Sequence, residues 1–127
     1  MIERVIENPA AFLQELGALH DVRLASITYA VEQNRLDIAV DDLNWNFERL
    51  SGYVPRPVSL IFTGISAFAF AAGQDKFHTS LVNEGAVIAH AYAITKNDIS
   101  RMDFVMSTSE QWYVEFETLT VRDRTAP

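Results

Sequence analysis

From Val22 onward the chain alternates apolar and polar residues with a period of two, and no helical period follows residue 20. This constrains the fold more than any other feature. A period of two turns successive side chains to opposite faces of a strand, so most of the chain is committed to half-buried antiparallel sheet. Tyr29 and Val31 alternate with polar or small residues, as do Leu36, Ile38 and Val40. With Gln33-Asn34 as a two-residue turn, Val31 would face Leu36, Tyr29 would face Ile38, Ile27 would face Val40, and Glu32 would oppose Arg35. Val22 and Leu24 lie on the other parity, which a β-bulge at Ala25-Ser26 would correct.

Later segments continue the pattern. Val58 to Thr63 is apolar on both parities, as a central strand would be, and Gly64 should kink the chain before a short strand at Ala67–Phe70. Between Val87 and Thr95, Ile88, His90, Tyr92 and Ile94 share one parity and Ala89, Ala91 and Ala93 the other. The alanine face leaves room for a helix. In the last hairpin Met102, Phe104 and Met106 alternate against Trp112, Val114 and Phe116. A turn through Ser107 to Gln111 would pair Met106 with Trp112, Phe104 with Val114 and Met102 with Phe116. Leu119 and Val121 then change parity, which requires a bulge or a corner near Thr118. The bulky Phe62, Tyr92, Phe104, Trp112 and Phe116 are the expected filling of the interior.

Asn8-Pro9 is a helix start, with Asn8 as N-cap and Pro9 in the first turn. Phe12, Leu13 and Leu16 fall on one face, and Gly17 gives an early stop. The expected fold is therefore α+β and mostly antiparallel β. A short N-terminal helix, about residues 9–18, precedes a six- or seven-stranded barrel or sandwich in a single domain over 1–127. Hydrophobic residues make up 49% of the 127 residues, enough for a core without disulfides, and cysteine is absent. That absence removes disulfide frameworks, thiolate metal sites and cysteine nucleophiles. The first residues lack a basic start followed by a long apolar run, and the apolar stretch from Val58 to Ala72 is too short for a membrane helix. A cytoplasmic address and no membrane partner are expected. A net charge of −7 disfavours phosphate backbones, so nucleic acid is not an expected partner, whereas a basic protein is.

Tests for chemistry come out negative. Histidines 20, 78 and 90 show no metal-ligand spacing, so neither a metal nor a cofactor is expected. Asp42-x-Asn44-x-Asn46 starts like a calcium loop, but Phe47 stands where the glycine belongs and Tyr53 where the bidentate glutamate belongs. Gly64-Ile-Ser66-Ala-Phe68 lacks the second glycine of a nucleophile elbow. Adjacent His20 and Asp21 would point to opposite faces of a strand. A structural role suits them better, with Asp21 capping a turn and His20 filling the gap between helix and sheet.

Leu19-His20-Asp21-Val22-Arg23-Leu24, after a helix and before a hairpin, resembles the start of a set of small uncharacterised bacterial β-domain proteins. There Leu-His-Asp precedes a small residue, where this chain has Val22. Asp41-Asp42-Leu43-Asn44-Trp45-Asn46-Phe47, Gly52-Tyr53 and Pro55-Arg56-Pro57 are similar to the same set, so the resemblance covers about the first half of the chain. Some members are regarded as immunity proteins of toxin systems, which implies a protein-blocking role.

Two candidate binding surfaces follow from the residues. The long connection from Leu43 to Pro57 carries Trp45, Arg49, Tyr53 and Arg56, residue types that anchor interfaces. The outward face of the last hairpin gathers Asp103, Glu115 and Glu117 against Arg101. The function expected is a non-catalytic protein-binding domain of immunity or accessory type. The alternatives are a small-ligand or hydrolytic barrel using His20 or His90, and a homodimer through exposed strand edges.

Overall fold

The computed structural model describes residues 3–44, 52, 54–70, 87–108 and 110–124. The order is β1 (Glu3–Ile6), α1 (Pro9–Glu15), a 3-10 turn (Gly17–Leu19), β2 (Leu24–Ala30), a second 3-10 turn (Val31–Gln33), β3 (Arg35–Val40), β4 (Val58–Thr63), β5 (Ala67–Phe70), β6 (Ile88–Lys96), β7 (Ile99–Met106), β8 (Gln111–Phe116) and β9 (Thr118–Asp123). All pairings are antiparallel, in a five-stranded sheet β1-β9-β4-β3-β2 and a four-stranded sheet β5-β8-β7-β6. The α+β class with a short N-terminal helix is thus observed, with nine described strands where six or seven are expected. One of the additional strands is β1, which pairs with β9 through Glu3↔Arg122 to Ile6↔Leu119 and lacks a clear alternation of its own.

Helix α1 starts where the sequence places it: the Asn8 side chain accepts from the Ala11 N–H at 3.1 Å, and Pro9 occupies the first turn. Phe12 and Leu13 are buried, and the helix packs against β6. Gly17 ends it with a φ of 65°. Ala18, Leu19 and Asp21 also take positive φ, and Leu19 is wholly buried, so core packing holds this segment in a conformation unfavourable for side-chain-bearing residues.

Two strand-to-strand passages join the sheets. β4 leaves the five-stranded sheet at Gly64 and enters the four-stranded one as β5; β8 makes the reverse passage into β9 at Glu117. The passages lie side by side: the Glu117 N–H donates to the carbonyls of Thr63 (3.1 Å) and Gly64 (3.2 Å), and the Ser66 N–H donates to Glu115 (2.9 Å). This corner explains the parity change, since Phe116 and Leu119 are both buried in the shared core although they belong to different sheets. At the opposite side, an Arg23↔Val87 bridge links the start of β2 to the start of β6.

Both hairpin registers differ from expectation by two residues. Tyr29 pairs with Leu36 and Ile27 with Ile38, because Val31–Gln33 forms a 3-10 turn closed by Asn34 at φ 50° in place of a two-residue turn. Arg35 therefore opposes Ala30 and not Glu32, and Val31 is 73% exposed. The bulge lies between Leu24 and Ser26, as expected, and Val22 and Leu24 are buried. In the last hairpin Phe104 pairs with Trp112, Met102 with Val114 and Ser100 with Phe116, because the Met106 N–H already closes the turn on the Glu110 carbonyl.

The core between the sheets is built on Leu36, Ile38, Leu60, Phe62, Met102, Phe104, Trp112, Val114, Phe116 and Leu119. Phe104 and Trp112 stack with centroids 4.0 Å apart, Phe62 meets Phe116 edge-on at 4.9 Å, and the Trp112 Nε1–H donates to the Met106 sulfur at 3.3 Å. Tyr92 is not part of this filling. A register shift between Ile88 and His90 puts Ile88 and Ala91 inside while His90, Tyr92 and Ile94 face outward. The alanine face is the inner one, and α1 packs there as expected.

Candidate functional site

The outer face of the four-stranded sheet carries the most conspicuous surface chemistry among the described residues. The registers Tyr92↔Asp103 and Asp103↔Tyr113 set an aspartate between two tyrosines in one row across β6, β7 and β8. The adjoining row is Ile94, Arg101, Glu115 and Ala67. Tyr92 and Ile94 are 53% and 64% exposed, two large apolar side chains side by side on one strand. His90, two residues before Tyr92, stacks on its ring at 5.8 Å.

Arg101 organises the centre of this face. Its Nε lies 3.2 Å from both carboxylate oxygens of Asp103, a terminal nitrogen donates to Oδ1 at 3.0 Å, and Glu115 stands 3.8 Å away. The guanidinium also lies 3.8 Å from the centroid of the Tyr113 ring, a cation–π contact. The hydrogen bond to Asp103 above all, assisted by the negative charges around it and opposed by desolvation, raises the affinity of Arg101 for its proton. A recess of about 140 Å³ opens beside this group, lined by Tyr92, Arg101, Asp103, Val105, Gln111 and Tyr113 and backed by Phe104 and Trp112.

Of the expected acidic group, Asp103 and Glu115 come together on this face through Arg101, whereas Glu117 stands at the corner against Gly64. Trp45, Arg49 and Tyr53 lie outside the described residues, as do Asn46, Phe47 and His78. Arg56 is half-buried and donates to Asp123 at 3.2 Å, tying the end of the connection to β9. Asp42 accepts the N–H groups of Asn44 and Arg56, each at 2.9 Å, and Asn44 donates to the Val54 carbonyl. These two residues of the calcium-like run thus serve the backbone as it leaves β3 and returns to β4.

His20 and Asp21 are not in a strand, so they do not diverge. His20 Nε2 lies 3.3 Å from Asp21 Oδ2, and both side chains are more than half exposed. His20 therefore does not fill an interior gap. Its Nδ1 lies 2.7 Å from the Ala89 carbonyl, and because a carbonyl can only accept, Nδ1 carries the proton. The Asp21 N–H donates to Ile88 and the Ile88 N–H donates to Val22. The Leu-His-Asp run thus fastens the end of the helical segment to the start of β6, with Leu19 anchored in the core. Among the described residues, no three His, Asp or Glu side chains gather in a metal-binding arrangement.

Sequence reasoning missed Tyr92, Ile94, Tyr113 and Gln111 as parts of one surface. The signal for Tyr113 was its shared parity with Glu115. For Tyr92 it was the alanine stripe, which identifies the opposite face of β6 as the covered one.

No family model matches the chain, and no curated protein does. Among solved structures, the crystal structure of an uncharacterized protein from Neisseria gonorrhoeae is similar, with a TM-score of 0.54 at 12% sequence identity over 95% of this chain and 97% of that one. At that identity the likeness concerns the fold. No described helix is long and apolar enough to cross a membrane.

Proposed function

We propose that this chain is a non-catalytic protein-binding domain of immunity or accessory type, which holds its partner against the outer face of the β5-β8-β7-β6 sheet. The observation that carries this reading is the exposed pair Tyr92 and Ile94 on β6, flanking the Arg101–Asp103–Tyr113 cluster. Tyrosine and arginine are the residue types that dominate interface energetics, and a rigid sheet presents them at little entropic cost. The acidity of the chain favours a basic partner. The resemblance of the Leu-His-Asp segment to immunity-type β domains agrees with a blocking role. A ligand or hydrolytic site using His90 has less support, since His90 is on the outer face and Phe62, Phe104, Trp112 and Phe116 occupy the interior. His20, with its Nδ1 engaged by Ala89, serves a structural bond.

Photo-crosslinking in the source cells tests the assignment. Benzoylphenylalanine in place of Tyr92 should give a discrete adduct with another protein. The same group in place of Val5, which is 59% exposed on β1 of the other sheet, should not. No adduct from position 92, or equal adducts from both positions, would overturn the reading.

A further inference from the structure

We infer that the recess between Tyr92 and Tyr113 receives a cationic side chain, an arginine, from the protein partner. The inference deepens the reading of this face as a protein-binding surface and rests on it. The arrangement is close to symmetric about Asp103. Tyr92 and Tyr113 stand directly across from it on either side, one strand spacing away each, so their backbones are roughly 10 Å apart. On the Tyr113 side the molecule already shows what the geometry accepts: the Arg101 guanidinium lies 3.8 Å from the ring centroid while it bonds Asp103. On the Tyr92 side the ring is 53% exposed even with His90 stacked on it at 5.8 Å, and it lines the recess of about 140 Å³.

The charge favours a cation over an anion there. Arg101 is shared between two carboxylates, Asp103 at 3.0 Å and Glu115 at 3.8 Å, so these two rows carry an excess negative charge. Each carboxylate oxygen has two acceptor positions, which leaves Asp103 able to accept from a second donor while it holds Arg101. Gln111 also lines the recess, and its side-chain amide can accept a hydrogen bond. A planar guanidinium can stack on an aromatic face and hydrogen-bond in its own plane, and so match the Tyr92 ring and the Asp103 carboxylate together. An ammonium would use only part of this arrangement.

The test uses the full chain and the smallest probe that carries the group. Acetyl-arginine-amide is titrated by NMR against acetyl-citrulline-amide, which has nearly the same shape without the charge. Arginine should cause saturable shifts at Tyr92, Asp103, Gln111 and Tyr113, with citrulline about tenfold weaker or silent. Tyr92→Leu, an exposed position that leaves the fold intact, should weaken the arginine response about three- to tenfold. No shifts at these residues, or equal responses to the two probes, would overturn the inference. A crosslink from position 92 combined with silence toward arginine would remove the cation and keep the protein-binding face. Arginine binding without any crosslink would remove the proposed function and keep the subsite.

Discussion

Gly64 and Glu117 touch at the corner where the two sheets exchange strands. A Cβ placed on Gly64 would lie 2.8 Å from the Glu117 Cβ, and the Gly64 φ of 66° already disfavours any other residue. The close approach lets the Glu117 N–H reach the carbonyls of both Thr63 and Gly64.

Gly64→Ala should therefore destabilise the domain by about 2–4 kcal/mol, combining left-handed strain with a backbone-proximal clash. Gly52 is the control: its φ is 81° but, among the described residues, nothing lies within 4 Å of an added Cβ. Gly52→Ala should cost only about 1 kcal/mol. Urea denaturation of both variants checks the difference, and equal losses would show that contact with Glu117 is unimportant.

Phe104 is fully buried and stacked on Trp112. Phe104→Ala should cost about 3–5 kcal/mol through lost burial and the cavity left behind. A loss below about 1 kcal/mol would place Phe104 outside the core.

Asp42 holds together the chain leaving β3 and the chain entering β4, by accepting from the Asn44 and Arg56 N–H groups. Asp42→Ala should lower stability by about 1–3 kcal/mol, and Asp42→Asn, which keeps an acceptor oxygen, by clearly less. Thermal unfolding of the pair distinguishes a capping role from mere charge removal, which would make the two variants alike.

The faces of most strands were legible in the sequence, β6 excepted, and the registers of the two hairpins were not. A slip of one residue would expose the core, so alternation alone fixes which side chains point inward. A slip of two preserves every face, and this is the difference seen in both hairpins. Tyr29 meets Leu36 where Ile38 was expected, and Phe104 meets Trp112 where Val114 was expected. Turn geometry decides between such registers, and the 3-10 turn at Val31–Gln33 has no short signature. The corner was legible because it combined a glycine with a parity change. The candidate surface was only half legible. Asp103, Glu115 and Arg101 were visible as one face, but the shift between Ile88 and His90 concealed that Tyr92 joins them.

The affinity of the partner captured through position 92 reports on the proposed binding face itself. Tyr92→Ala should weaken that complex by about 1–3 kcal/mol with almost no change in melting temperature, because the ring is half exposed and lies outside the core. Arg56→Ala, which breaks the tie to Asp123, should do the reverse, lowering the melting temperature with little effect on binding. Undiminished binding by Tyr92→Ala together with a marked loss in Arg56→Ala would rule out the outer sheet face and move the contact surface to the connection before β4.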